Sequence, residues 1–262
     1  MLRFGANLGP GMLFSEYPFP ERFDRAAVVG FGAVEYPQPY GENIQAIQDA
    51  LRRTGLEQAQ FNLPWGDVPG QRGSTNDPDR QEVFRDDVAR ALEIAVQLGC
   101  PRVLCHAGVA LSGVPIDVQW GTIVENVRYA AELAHPAGVR ILIEPLNPCD
   151  VPGYLLTTTA QALRLLDEVG HPNTAILFDV YHAQRAEGNL VATLRAHFGR
   201  IDHIELADSP DRHQPGTGEI NVPFLLGELE AAGYTGWICP EYRPLGGTEK
   251  SLGWMREWLA RG

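Results

Sequence analysis

Short β-rich runs and longer amphipathic segments alternate about eight times along this chain of 262 residues. That alternation restricts the fold more than any single motif, because strands that alternate with helices build parallel sheets. The predicted strands are residues 2–8, 31–36, 57–63, 102–106, 139–145, 175–179, 201–206 and 237–241. Several are apolar throughout, such as Ile141-Leu142-Ile143, which fits parallel strands buried on both faces. Between them, Phe84, Val88, Ala91, Leu92 and Ala95 mark one face of a helix, and Asp77-Pro78 signals its start. A second helix is capped by Thr158, carries Ala162, Leu165, Leu166 and Val169, and stops at Gly170. A third carries Ile123, Val127, Ala130 and Ala134, and the last carries Leu252, Met255, Trp258 and Leu259.

Eight such units predict an α/β fold, a (β/α)8 TIM barrel formed as one domain over residues 1–262. The length matches the roughly 250 residues of such a barrel. An open doubly wound sheet is the alternative, but no G-x-G-x-x-G follows the first strand. The longest irregular stretch, residues 64–79, is rich in Gly, Pro and polar residues and has the length of a lid.

Four predicted strands end in acids at a regular spacing. Glu144, Asp179, Glu205 and Glu241 are separated by 35, 26 and 36 residues, about one βα unit each. The C-terminal ends of barrel strands meet at the face where active sites form, so these carboxylates are expected to converge. Ionised neighbours disfavour one another, and a hard divalent cation relieves the crowding. Oxygen-only ligands suit one Mg²⁺ or Mn²⁺ better than zinc. Such an ion is a Lewis acid toward carbonyl and hydroxyl oxygens. Glu144 and Glu241 could then trade roles as base and acid across a carbon frame. Such a pair could move a proton along the carbon frame of a hydroxy-carbonyl compound.

His182 follows Asp179 by three residues and is placed to reach a substrate oxygen, and His106 ends the fourth predicted strand. His203 points inward one layer below Glu205, where a structural role is at least as natural as a ligand role. Arg212 and Arg243 lie in loops after strands and could fork onto a substrate carboxylate. Pro215-Gly216-Thr217-Gly218 resembles a phosphate cradle superficially but lacks the Gly-Lys-Ser/Thr ending.

A net charge of −12 argues against nucleic acid and anionic membranes as partners, since both demand clustered Lys and Arg. The longest apolar stretch, residues 26–34, is too short to span a bilayer, and residues 1–7 lack a signal pattern. Cys100, Cys105, Cys149 and Cys239 form no C-x-x-C pair and read as buried free thiols in a reducing, cytoplasmic compartment.

Five segments together resemble the hydroxypyruvate isomerase family, a branch of the xylose isomerase-like barrels. They are Ile143-Glu144-Pro145-Leu146-Asn147, Asp150-Val151-Pro152-Gly153-Tyr154, Phe178-Asp179-Val180-Tyr181-His182, Pro215-Gly216-Thr217-Gly218-Glu219-Ile220-Asn221 and Glu241-Tyr242-Arg243-Pro244. The resemblance covers essentially the whole chain. It implies a (β/α)8 barrel, a divalent metal, and interconversion of hydroxypyruvate with tartronate semialdehyde, or of a related four-carbon 2-oxo acid. It also implies that Glu144 and Glu241 are both metal ligands and the acid/base pair, with Asp179 a third ligand. Glu205 departs from the pattern, since the resemblance implies Gln there and the related ketose 3-epimerases carry His. His182 and Arg212 match substrate-contacting positions of those epimerases, and Arg243 stands where relatives often carry Lys.

A ketose or sugar-acid 3-epimerase is the first alternative, because it returns the proton to the other face of one carbon. An endonuclease IV-like barrel needs several His ligands and a basic face, and the charge opposes it. A non-catalytic sugar-acid-binding barrel would have no need of the Glu144 and Glu241 pair. The resemblance is compatible with a homo-oligomer.

Overall fold

The computed structural model describes residues 1–66 and 70–259. Eight parallel strands close a barrel in sequence order, the last pairing with the first. They are β1 (Arg3–Asn7), β2 (Ala33–Glu35), β3 (Glu57–Asn62), β4 (Arg102–Leu104), β5 (Arg140–Ile143), β6 (Thr174–Asp179), β7 (Ile201–Leu206) and β8 (Trp237–Pro240). Every predicted strand is present, most of them trimmed at the ends, where the chain leaves the ladder.

The helices between them are α1 (Phe19–Val29), α2 (Ile44–Thr54), α3 (Gln81–Leu98), α4 (Ile116–Ala134), α5 (Thr159–Val169), α6 (Val180–Ala186), α7 (Leu190–His197) and α8 (Val222–Ala231). Local chemistry sets their ends. Thr158 and Gln161 form a reciprocal capping box at the start of α5, and Gly170 ends it in the left-handed conformation. Asp77 caps a 3₁₀ turn at Pro78–Arg80 that runs into α3. The expected last helix is broken instead. A 3₁₀ turn at Leu252–Met255 lies between single helical turns at Thr248–Ser251 and Arg256–Leu259.

Side-chain alternation divides the core in two. Ile141, Ile143, Ile176, Phe178, Ile204 and Ile238 face outward into the large cluster shared with the helices. The residues between them face inward. Leu104, Leu142, Ala175 and Leu177 form one small interior cluster, and Ala33, Ala59, Trp237 and Cys239 form another. The next inward rung toward the C-terminal face carries polar groups, because positions i and i+2 share a side of the strand. Leu177 is thus followed by Asp179, Leu142 by Glu144 and Cys239 by Glu241.

At the other end of the barrel Asp202 is clamped by Arg102 at 2.8 Å and Arg140 at 3.3 Å, and Arg3 covers the Trp237 ring. Those pairs close the floor. Cys100, Cys105 and Cys239 are buried thiols as expected, but Cys149 is exposed, because it sits in the turn after β5 rather than in a strand. In the predicted lid stretch Gln71, Ser74, Thr75 and Asn76 are buried, and residues 67–69 lie outside the described residues. No helix among the described residues is long and apolar enough to cross a membrane.

One interior pair had no counterpart in the sequence reading. Glu35 at the end of β2 and His203 on β7 are both fully buried and meet at 2.6 Å. Asn7 donates a second hydrogen bond to Glu35 at 2.9 Å. Burial works to raise the Glu35 carboxyl, yet the charge and hydrogen bond of His203, helped by Cys239 and Asn7, hold it below its ordinary value. His203 therefore takes the structural place allowed for it, tying two distant strands beneath the acidic rung. Removing one partner strands a buried polar group on the other, so Glu35→Ala is expected to cost about 3–5 kcal/mol. Chemical denaturation checks this, with Glu35→Gln expected to cost less.

Candidate active site

Parallel register brings the strand-end acids together. Asp179 pairs directly with Glu205 across β6 and β7, and Glu205 lies level with Cys239, two residues before Glu241. Carboxylate oxygens of Asp179, Glu205 and Glu241 all lie within 4.8 Å of one another. Glu144, Asp179 and the His182 ring form an adjoining group of the same size. All four predicted acids thus meet at one end of the barrel, where Glu144, Glu205 and Glu241 line a cavity of about 440 Å³. Glu144, Asp179 and Glu205 are buried, and Glu241 is partly exposed at the mouth.

Crowding without water raises every one of these carboxyls. Glu144 is held well above the ordinary carboxylate range by burial and by the charges of Asp179 and Glu241. Glu205 is raised likewise by burial, then by Glu241, Glu35 and Glu144. Asp179 is raised by burial, and Arg212 together with the main-chain N–H groups of His182 and Tyr181 holds the rise in check. Glu241 is pushed up to about 7 by burial, with Arg212 opposing. Gln60 donates to Glu205 at 3.3 Å.

Arg212 enters the cavity from the loop after β7, as predicted, but its guanidinium does not stand free for a ligand. It pairs with Asp179 at 3.1 Å and with Glu241. Its main chain is left-handed, with φ of +57°, and the loop that holds this shape is organised by Asp208. The Asp208 carboxylate accepts main-chain N–H groups from Ser209, Gly216, Thr217, Gly218 and Ile220, five in all. The glycine-rich segment that resembled a phosphate cradle therefore wraps a carboxylate of its own chain. Gly218 is obligatory there, since a Cβ would lie 1.9 Å from the Ser209 carbonyl oxygen.

The histidines reach the cavity in a defined protonation state. His182 accepts at Nδ1 from the Asn147 main-chain N–H at 3.1 Å, so a neutral ring carries its proton on Nε2, 3.6 Å from Asp179. Burial and then Arg212 keep it neutral. That ring offers a donor to an oxygen rather than a lone pair to a cation. His106 lies 3.8 Å from Glu144, and burial lowers it to about 3. Tyr154, which the sequence reading placed only within a motif, bridges these two strand ends. It accepts from Ala107 N–H at 2.8 Å and donates to the Glu144 carbonyl at 3.3 Å. Arg243 is exposed at the rim of the cavity.

The donor set suits a hard divalent cation. Four carboxylates face one guanidinium, and a cation of charge +2 would offset the remaining repulsion. Glu144, Asp179, Glu205 and Glu241 are the residues that could hold it.

A family model described as a xylose isomerase-like TIM barrel matches residues 23–258. The chain is 44% identical to the hydroxypyruvate isomerase of Escherichia coli, over 97% of this chain and 98% of that one. It is 43% identical to a 2-oxo-tetronate isomerase of Pectobacterium atrosepticum, over 100% and 99%. The chain belongs to the hydroxypyruvate isomerase family of xylose isomerase-like barrels. It is an isomerase. Among solved structures, a Brucella melitensis protein described as an AP endonuclease of family 2 superposes with a TM-score of 0.95 at 40% identity, covering 98% and 99% of the two chains. A 3-keto-D-glucoside 4-epimerase from E. coli shares the fold, with a TM-score of 0.82 at 22% identity over 98% and 100%.

The acidic rung has a pH signature. A carboxyl raised in the folded state binds its proton there at pH values where the unfolded chain has lost it, so stability falls as pH rises. For Glu241 that window runs from its ordinary value of 4.5 to about 7. The melting temperature of chelated protein is expected to drop between about pH 5 and pH 8. Added Mn²⁺ should reverse the drop at the upper end, because metal binding favours ionised carboxylates. Thermal melts with and without Mn²⁺ check both arms.

Proposed function

We propose that this chain interconverts hydroxypyruvate and tartronate semialdehyde, or a four-carbon homologue such as 2-oxo-tetronate, with one Mg²⁺ or Mn²⁺ held by Glu144, Asp179, Glu205 and Glu241. The observation that carries this reading is the placement of Glu144 just past β5 and Glu241 just past β8, both on the wall of the same cavity. Full-length relatives named for both reactions support it.

When bound, the cation supplies Lewis-acid polarisation of the substrate's carbonyl and hydroxyl oxygens. The chain's own residues do the rest. One glutamate takes a proton from the carbon that bears the hydroxyl, the other returns a proton to the neighbouring carbon, and the hydroxyl proton passes to the former carbonyl oxygen, through an enediolate. Glu241, pushed up to about 7, is poised to hold or release a proton near neutral pH. His182 and His106 present neutral rings to the substrate oxygens. Arg212 keeps negative charge on Asp179 and Glu241 from accumulating unopposed, and Arg243 offers a cation at the rim. The cavity of about 440 Å³ exceeds what a three-carbon acid fills, so a four-carbon acid is accommodated too. Glu205, where the resemblance implies Gln, adds one more negative charge to the set.

The test offers hydroxypyruvate, 2-oxo-tetronate and a ketose side by side to chelated and to Mn²⁺-loaded protein. Turnover of an oxo acid only with metal is expected. Glu241→Gln should lower kcat by about 10²–10⁴-fold without moving the melting temperature much. Turnover of the ketose alone would transfer the protein to 3-epimerase chemistry. Near-normal kcat in Glu241→Gln would remove that residue from the acid/base pair.

A further inference from the structure

An acid substrate entering this cavity meets the carboxylates of Glu144, Asp150, Glu205 and Glu241 on its wall, with Asp179 adjoining them, so binding demands a cation not already engaged by them. Arg212 is paired with Asp179 and Glu241. Arg185 is drawn off to Asp150, the Tyr181 hydroxyl and the Pro210 carbonyl. Arg243 is exposed at the rim. Arg72, in the loop after β3, is half-buried and lines the cavity. No carboxylate of the described residues pairs with it, and its guanidinium lies over the Trp65 ring, 4.8 Å from the centroid.

We infer that Arg72, held against Trp65, receives the substrate's carboxylate and makes this isomerase selective for acids. The inference rests on the proposed 2-oxo acid substrate and deepens it.

Three features beyond the cation itself support this role. The backbone at Arg72 is left-handed, with φ of +57°, a conformation that costs energy in a residue with a Cβ. Its neighbours hold it there, as the Gln71 carbonyl accepts from Val109 N–H at 3.2 Å and Gly73 N–H donates to Trp65 at 2.8 Å. The same wall carries unmet polar groups. Asn62 is 6% exposed and Gln60 is 2% exposed, both line the cavity, and the side-chain oxygen of each has no hydrogen-bond partner. Buried acceptors of that kind call for the hydroxyl donors of a polar ligand. Finally, the charge of Arg72 reaches the reacting end, for it acts on Glu144, His106 and His182. A 2-oxo acid has its carboxylate one bond from the carbonyl carbon, so its anchor must stand close to the acid/base pair. A guanidinium stacked on an indole keeps its in-plane donors free for a two-pronged grip.

The probe is tartronate, a hydroxy diacid that cannot isomerise, titrated calorimetrically into Mn²⁺-loaded protein. Wild type, Arg72→Met, Arg72→Lys and Arg243→Met are compared, with Mn²⁺ affinity and thermal melts confirming that each variant is folded and loaded. Arg72→Met is expected to weaken tartronate about 10- to 100-fold, the range for losing a charged hydrogen-bonding partner. Arg72→Lys should fall between, because an ammonium keeps the charge without the fork. Tartronate affinity in Arg72→Met within threefold of wild type, a larger loss in Arg243→Met, or no binding to wild type would each overturn the assignment. If tartronate binds through Arg72 while wild type turns over no oxo acid, the acid anchor stands and the proposed reaction falls.

Discussion

Repulsion among buried carboxylates governs the functional end of this barrel. Four acids arrive from four consecutive strands, and parallel pairing leaves them no room to separate. The chain supplies one guanidinium, Arg212, as partial compensation. Burial first, and the charges of neighbouring acids after it, raise the carboxyls of all four acids. An arrangement of this kind lowers the stability of the chain by itself, and it is confined to the face where active sites of such barrels form.

Beneath that rung the interior is arranged to tolerate it. Glu35 and His203 pair with each other, so the layer below is polar but internally satisfied at that contact. Deeper still, the two apolar clusters and the arginine-clamped Asp202 close the floor. The loops above the rung have a comparable division of labour. Asp208 fixes the loop that delivers Arg212, and Tyr154 ties the end of β4 to the end of β5, so His106 and Glu144 hold their positions together. The β3 wall is different, because the side-chain oxygens of Gln60 and Asn62 are unmatched, which is what recognition of a polar substrate requires.

Parts of this were legible in the sequence for a simple reason. Strand-end acids one βα unit apart declare themselves by period, and a parallel barrel converts that period into proximity. Arg212 was found because it follows β7 closely, although its carboxylate partners were not. Glu35 lies at a strand end as well, yet β2 is three residues long with a register shift after Val34, and nothing local separates this acid from a surface one. Arg72 is set in a stretch without periodicity, where residue type alone says little. The terminal segment failed as a continuous helix because its apolar spacing is satisfied by separate turns packed on the barrel, with Gly253 among them.

The sequence by itself determined the eight-unit alternation, the inward and outward faces of the strands, the helix caps at Asp77 and Thr158, and the four acids of the upper rung. Each of these follows from local periodicity or from short-range hydrogen bonding. Only the tertiary structure decided which cations answer those acids, which polar groups stay unmatched, and which tautomer His182 adopts. Those outcomes depend on groups 28 to 168 residues apart in sequence, as in Asn7 with Glu35 and Glu35 with His203. No local pattern encodes them, because they are set by which strands become neighbours or face one another when the barrel closes.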